Sequence, residues 1–484
     1  MAIMKREATL LLLLLVLFSV PTVMGHTGGG GGGEDERREE RREIFLLQHS
    51  KQVVKTEAGE MRVVRGFRIK GVENPMHIGF ITMEPKTLFV PQYIDSGLIF
   101  FVRRGNAKIG SVYKDELVER ELKHGDIYRI PAGSAFYMVN VHDRQNLEII
   151  CSIDSTESIG RGPFQSFFIG GGSYPASVLS GFDPRTLATA FNVSSSELKE
   201  LMTRQQGGPI IYVQDTQDTS RWASIMKLKQ QERLEQQKRM GEDDDADQEE
   251  QVEEETWTWR KLLTSVLGME KKVATPNKAV RSPDSYNLYD RQPDFKNDYG
   301  WSIALDEDDY TPLSNSGIGV YLVNLSAGSM MAPHVNPTAT EYGVVLSGTG
   351  SIEVVFPNGT SAMNADVSEG DVFWVPRYFP FCQIASKMGP MEFFGFTTSA
   401  RKNRPQFLVG ASSILQTMSS SELAAAFDVS EERFRNLTNA QRESVILPYK
   451  SPSPPKTRKP KESSAKRVPS YIKSFASDMI MGFD

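Results

Sequence analysis

Reactive side chains are scarce in this chain of 484 residues, which contains two cysteines and six histidines. Neither Cys151 nor Cys382 has a histidine beside it, and no glycine-rich loop precedes a helix in the pattern that cradles phosphate. No Ser-His-Asp set is indicated either. The sequence therefore predicts a protein that is not an enzyme, with two buried free thiols rather than a disulfide.

The chain also lacks a basic balance of charge, and it has only one long apolar run. The net charge of -6 argues against nucleic acid as a partner. The one long apolar run, from Leu10 to Val20, follows a Lys-Arg pair and precedes small residues, which is the pattern of a secretory signal peptide. A signal anchor is the alternative, although the run is short for a bilayer span. We expect residues 1–25 to be a cleaved signal peptide and no membrane to be a partner.

Four Asn-X-Ser/Thr sequons agree with passage through the secretory pathway, and they are predicted as glycosylation sites: Asn192, Asn324, Asn358 and Asn436. Asn358 is the best candidate, because Asn-Gly between two strand-like runs predicts an exposed hairpin turn. Asn324 is the weakest, because it lies in an apolar strand.

An internal repeat organises the rest of the chain. Val90-Pro91-Gln92 matches Ala332-Pro333-His334, and Gly125-Asp126 with the following apolar run to Pro131 matches residues 370–376. Further on, residues 183–194 match residues 419–430 without a gap. The copies lie roughly 240 residues apart, which is about the size of a whole domain and indicates a duplicated domain.

Each copy places strands before helices. Short apolar or alternating runs separated by Gly, Pro and Asn turns predict an antiparallel sandwich or barrel. Asp183-Pro184 marks the start of a helix, and Ser194 with Glu197 and residues 419–422 have the pattern of capping boxes. We therefore expect a mainly β protein with two barrels in tandem at 46–224 and 276–449, each followed by a helical arm.

Composition marks the segments outside these two units. Residues 26–45 form a charged leader with no apolar face. Residues 225–275 form an acidic, Gln/Glu-rich linker that we expect to be exposed and cut first by proteases; a helix over 226–240 is the alternative. Residues 450–484 form a basic Pro/Ser-rich tail whose apolar end is either a sorting signal or a frayed terminus.

Two motifs carry a family resemblance. The second motif of the cupins is met by Gly125, Pro131, Gly133, Phe136 and Asn140, and the first motif by Gly328, His334, Asn336, Glu341 and Gly348. Together with the signal peptide, acidic linker and helical arms, the chain resembles the vicilin-like 7S globulins of plant seeds. The resemblance implies two jelly-roll barrels, a homotrimer, and a nutrient reservoir in the protein storage vacuole or outside the cell, mobilised by proteases at germination.

The resemblance also allows a test for metal, because metal cupins hold their ion with three imidazoles and one carboxylate. The first repeat keeps no such set, with Gln92, Ile94, Leu98 or Ile99, and Phe136 at the matching positions. The second repeat keeps His334 and Glu341 but has Asn336 and Phe381 at the other two positions, so that Cys382, Tyr378 or water would have to complete a set.

We therefore expect no cofactor, with weakly bound copper or zinc in the second cupin as the alternative. Storage is the predicted function. A small-ligand or copper-binding cupin that uses the second pocket is the alternative, and a germin-like metal-dependent oxidase lacks its ligands.

Overall fold

Two barrels of paired β-sheets dominate the computed structural model. It describes the following residues: 45–66, 76–113, 116–156, 158–160, 162–214, 220–226, 285–401, 404–418 and 421–449. The predicted signal peptide and tail, and most of the predicted leader and linker, lie outside these ranges. No helix in the described ranges is long and apolar enough to cross a membrane.

The first barrel is built from twelve strands of its own half of the chain. They are β1 (Ser50–Thr56), β2 (Gly59–Val64), β3 (His77–Met83), β4 (Thr87–Ile94), β5 (Gly97–Arg104), β6 (Ala107–Tyr113), β7 (Glu116–Leu122), β8 (Asp126–Ile130), β9 (Phe136–Asn140), β10 (Leu147–Asp154), β11 (Ser166–Phe168) and β12 (Ile210–Tyr212). One sheet has the order β1-β2-β3-β10-β5-β8, and the other β11-β4-β9-β6-β7 with β12 also on β4. All these pairs are antiparallel, as predicted.

A helical arm follows the first barrel. After a 3-10 turn at Val178–Gly181 come α1 (Pro184–Phe191), α2 (Ser195–Arg204) and the short α3 (Arg221–Met226). Asp183 caps α1 by accepting the amide hydrogen of Arg185, and Ser194 forms the predicted capping box with Glu197. Such caps satisfy amides at the helix start that have no partner within the helix.

The second half repeats this plan. Its strands are β13 (Tyr286–Asn287), β14 (Phe295–Asn297), β15 (Gly300–Leu305), β16 (Gly319–Leu325), β17 (Ser329–Met331), β18 (His334–Val335), β19 (Glu341–Ser347), β20 (Thr349–Val355), β21 (Ser361–Ser368), β22 (Val372–Val375), β23 (Phe381–Ala385), β24 (Met391–Thr397), β25 (Gln406–Phe407) and β26 (Ile446–Pro448). A 3-10 turn covers Thr311–Leu313, and the arm contains α4 (Ile414–Thr417), α5 (Ser421–Ala426) and α6 (Glu431–Thr438). The sheet orders are β14-β15-β16-β24-β19-β22 and β21-β20-β23-β17-β26, with β18 between β23 and β25.

The structure confirms the internal repeat at the level of single residues. Gln92 lies opposite Phe136 in the first barrel, and His334 lies opposite Phe381 in the second. In the arms, Asn192 and its counterpart Asp428 both adopt a left-handed backbone conformation, with φ of 53° and 52°. The predicted capping box at 419–422 falls partly outside the described residues.

Three apolar clusters make up the core of the described structure. One fills the first barrel, one fills the second, and the third lies between the barrels and draws side chains from both. In the third cluster the rings of Phe101 and Phe394 stack with their centroids 4.0 Å apart. Because each fully buried large apolar side chain contributes roughly 1.5–3 kcal/mol, the surface between the barrels is a core in its own right.

The boundaries of the two units differ from the prediction at one point. Phe45, assigned to the solvated leader, is buried among aromatic side chains of the second barrel. Leu46 pairs with Phe373 of β22, and β13 pairs with β8 of the first barrel. Each barrel therefore receives a short segment from the chain that leads into the other. Sequence periodicity cannot detect this exchange, because two or three residues are too few to show a period.

The two cysteines are buried free thiols, as predicted. Cys151 points into the first barrel, where its sulfur packs beside Gly79. Cys382 lies opposite Glu353 on the outer face of its sheet, and burial raises the pKa of both thiols to about 12. Neither thiol is poised for reaction, since the thiolate is the nucleophilic form.

Candidate functional site

The interior of the second barrel contains the histidine and the carboxylate that the first cupin motif predicts. His334 in β18 is buried beside the ring of Phe381, with centroids 4.1 Å apart, and Phe407 lies at 5.4 Å. Its Nδ1 donates to the carbonyl of Ala332 at 2.8 Å. Burial lowers the pKa of His334 to about 4, against the opposing effect of the Ala332 carbonyl, so the ring is neutral near pH 7.

Glu341 begins β19 and is also buried. Asn336 Nδ2 donates to its Oε1 at 2.8 Å, and Asn336 Oδ1 accepts the backbone amides of Thr338 and Ala339. Burial raises the pKa of Glu341 to about 7, although the Asn336 amide opposes this. The carboxyl is therefore protonated in a large fraction of molecules at neutral pH, unlike an exposed glutamate.

Two further polar side chains point into the same barrel and were not predicted. Tyr321 in β16 packs over Gly395, where an added Cβ would lie 2.2 Å from the ring. Gln383 lies between Phe381 and Ala385 on the inward face of β23. The Tyr321 hydroxyl and Gln383 Oε1 are buried without a hydrogen bond in the described part of the chain. Burial and then the charge of Glu341 raise the pKa of Tyr321.

A cupin metal does not fit this set of side chains. No three His, Cys, Asp or Glu side chains come together as a metal site in the described ranges. Phe381 fills the position of the missing histidine, and His334 uses one nitrogen on the Ala332 carbonyl. The suggestion that Cys382 completes the set is wrong, because successive strand residues point to opposite faces and Cys382 shares its face with Glu353, not with His334.

Tyr378, the other suggested ligand, lies outside the pocket. It is 57% exposed in the loop between β22 and β23, and its backbone amide donates to the carbonyl of Asn336. Its φ of 71° matches the 75° of Gly133, its counterpart in the first barrel. Tyr378 thus adopts a left-handed backbone conformation that favours glycine. Alignment of the two repeats shows that tyrosine replaces glycine at this position, but it does not show the backbone strain.

The first barrel places the four positions that match the metal ligands of cupins in or beside its apolar interior. Gln92 and Phe136 are buried opposite each other, and Leu98 and Ile94 join the apolar cluster. The remaining polar contact is that of the Tyr128 hydroxyl with Ser111 at 3.2 Å. Gln92 Oε1 is buried without a hydrogen bond, so the first barrel also keeps polar groups inside, but among the described residues it has no histidine or carboxylate at the motif positions.

The four sequons occupy different environments. Asn358 is exposed in the turn between β20 and β21, as predicted, and its Oδ1 accepts from the amide and hydroxyl of Thr360. Asn192 is exposed at the end of α1, and Asn436 is exposed within α6. Asn324 lies in a central strand between β15 and β24 and hydrogen-bonds to Glu392. Their glycosylation stays a prediction.

Comparisons with known proteins agree with this architecture. The Cupin family model matches residues 46–199 and 286–435. A vicilin-like seed storage protein of Arabidopsis thaliana is 56% identical over 417 residues, which cover 85% of this chain and 81% of that protein. A second from the same plant is 32% identical over 416 residues, covering 82% of this chain and 73% of the other.

Solved structures show the same fold. The crystal structure of the vicilin from Corylus avellana matches with a TM-score of 0.66 and 23% identity, over 84% of this chain and all of that chain. A vicilin of Solanum melongena, whose crystal structure revealed different anionic ligands in structurally similar pockets, matches with a TM-score of 0.68 and 19% identity, over 86% and 100%.

Proposed function

Because this chain belongs to the vicilin-like seed storage proteins of the cupin family, we propose that it is a nutrient reservoir that accumulates in the seed and is degraded at germination. The observation that carries this function is the phenylalanine pair, Phe136 and Phe381, which fills the ligand position in both barrels. Barrels whose described residues bring together no metal-binding set suit a protein whose function is its own accumulation. Fold alone would not fix this role.

We also propose that the protein has no enzymatic activity, that it forms a homotrimer, and that it is stored in the protein storage vacuole. Both arms support self-association, because they expose large apolar side chains at matching positions, including Phe191 and Leu201 in the first arm and Phe427 and Leu437 in the second. Such side chains are typical of a protein interface. A second copy of the chain is the occupant that we propose, since a closed ring places each first arm against a second arm.

Protein abundance through the life of the seed tests the reservoir role. We expect quantitative immunoblots to show high accumulation in protein bodies during maturation, followed by rapid loss on germination. Low and steady abundance would contradict storage.

The trimer is tested separately by light scattering on Leu201→Asp and Leu437→Asp, with Glu200→Asp as a control on the exposed face of α2. A wild-type monomer at micromolar concentration would refute the trimer.

A small polar ligand in the second barrel is the second candidate function. It is favoured by two buried polar atoms of the second barrel that have no hydrogen-bond partner among the described residues, Tyr321 Oη and Gln383 Oε1, and by Glu341, whose charge acts on Tyr321. Mass spectrometry of small molecules released from purified protein tests it, with Tyr321→Phe as the variant expected to lose the ligand. Metal analysis of the same sample tests for weak copper or zinc, with His334→Ala as the control; stoichiometric metal in wild type alone would contradict the proposed lack of a cofactor.

A further inference from the structure

The segments that lead into the two barrels are exchanged between them. Residues 45–47, here called the N-terminal strap, precede β1 of the first barrel but pair with β22 of the second. Residues 286–290, here called the central strap, lead into the second barrel but pair with β8 of the first. The strands β22 and β8 are counterparts in the repeat, so each strap covers the same sheet edge of the opposite barrel.

The N-terminal strap is held by backbone pairing and by aromatic packing. The Leu47 amide donates to the Val372 carbonyl at 2.8 Å. The ring of Phe45 lies 6.1 Å from Trp374, 5.8 Å from Phe379 and 6.3 Å from Phe356 between centroids. Phe45 is 2% exposed, so it is a core residue of the second barrel. Large-to-small changes at such positions are strongly destabilising.

The central strap contacts the first barrel mainly through hydrogen bonds at and just before β8. The Leu288 amide donates to the Gly125 carbonyl at 3.0 Å, and Asn287 Nδ2 donates to the His124 carbonyl and to Asp126 Oδ1. The Tyr289 ring stacks on His124 at 4.7 Å. Gly125 permits this approach, since an added Cβ would lie 2.4 Å from the Tyr289 ring.

Both straps also cover edges that would otherwise expose unpaired backbone groups. Open strand edges are sites of unwanted pairing and of protease access. The edge of β22 is covered by three residues at the end of the charged leader, and the edge of β8 by residues that come after the acidic linker in the chain. Cleavage in either charged segment therefore leaves the strap in place, whereas cleavage between 47 and β1 cuts the N-terminal strap from its own barrel.

We propose that the two straps form a reciprocal clamp, which adds to the apolar core between the barrels in holding them together after the linker is cut, and that loss of the N-terminal strap opens the edge of β22. This proposal does not depend on the reservoir function, because it concerns the folded protein alone. It identifies residues 45–47 as the segment whose removal first weakens the second barrel.

Hydrogen exchange on the full chain tests the clamp. A specific protease site is inserted between Gln48 and His49, both exposed, and another within the acidic run at 242–249. After linker cleavage alone, we expect both halves to co-elute and exchange at 372–375 to remain slow. After the cut at 48–49 and removal of the freed peptide, exchange at 372–375 should rise about tenfold or more, while 126–130 stays protected.

Substitutions provide the matched controls. Phe45→Ala should lower the melting temperature by roughly 5 °C and speed exchange at 372–375, whereas Gln48→Ala should do neither. Asn287→Ala should speed exchange at 126–130 and leave 372–375 unchanged. The clamp is refuted if the halves separate after linker cleavage alone, or if cutting at 48–49 leaves exchange at 372–375 slow. Because both cuts are made after folding, a variant that fails to fold does not decide the test.

Discussion

The buried carboxyl of Glu341 makes the stability of this protein depend on pH in an unusual direction. Its pKa is about 7 in the folded protein and about 4.5 in the unfolded chain, because burial disfavours the charged form. A group whose folded pKa is raised contributes stability that is fully present below about pH 4.5 and lost as the pH rises to about 7. An increase of about 2.5 pH units corresponds to roughly 3 kcal/mol.

Glu341→Gln isolates this contribution. The amide keeps an oxygen that accepts from Asn336 but cannot ionise, so the variant should match the wild type near pH 4.5 and exceed it by roughly 3 kcal/mol above pH 7.5. His334 acts with the opposite sign, because its lowered pKa removes stability as the pH falls below about 6.5. Since His334 is present in both proteins, its effect cancels in the difference.

Urea unfolding midpoints at pH 4.5, 6 and 8 measure the difference between variant and wild type. Glu353→Gln is the matched control for the change of chemistry, because it replaces a carboxylate on the outer face of the other sheet of the same barrel. The reasoning is refuted if the two curves for Glu341→Gln and wild type run parallel across this range, since the carboxyl would then not be buried and uncharged in the folded protein.

Three other outcomes follow from the structure. Tyr378→Gly should stabilise the protein by about 0.5–1 kcal/mol because it removes left-handed strain at an exposed site, whereas Tyr378→Ala keeps the strain and should not; equal urea midpoints for the two variants would contradict this. Glycopeptide mapping of protein from seed should find glycan at Asn358 and none at Asn324, whose side chain is engaged in a central strand; the reverse occupancy would overturn the assignment. Lys108→Met should expose residues 221–226 to proteolysis, because the Lys108 ammonium holds the Ile225 carbonyl, whereas Lys51→Met in exposed β1 should not.

The repeat, the barrels and the arms were predictable because their signals are long or chemically specific. The Gly-Asp turn that leads to Pro131 recurs before Pro376, and the capping pair Ser194 and Glu197 has a fixed spacing. The straps were not predictable from a pattern. Ten consecutive charged residues, 34–43, and then Ile44 precede Phe45. Only the contacts of Phe45 with Trp374 and Phe379 show that it belongs to the core.

The sequence predicted which residues belong to the site, but not on which face of its strand each side chain lies. His334 and Glu341 both point into the second barrel, as the motif implies. Cys382 follows Phe381 directly, so proximity in sequence suggested proximity in space, but alternation along the strand turns it outward. Alternation along β23 places Gln383 on the same face as Phe381, because the two residues are two positions apart, so this pattern does predict an inward Gln383. Tyr321 has no such signal, because its contacts depend on the packing of β16 against β24.

The survival of Glu341 in a barrel without a metal set has a structural explanation. Asn336 uses its oxygen on the amides of Thr338 and Ala339 and its amide on Glu341, which fixes the turn that joins β18 to β19. Burying a carboxyl group that has this partner costs less free energy than burying one without a partner, because the hydrogen bond offsets part of the desolvation cost. Turn geometry therefore accounts for Asn336 and Glu341, and the Ala332 carbonyl accounts for His334. The hydroxyl of Tyr321 and the oxygen of Gln383 have no such account, which is why a ligand search should begin with them rather than with the old metal positions.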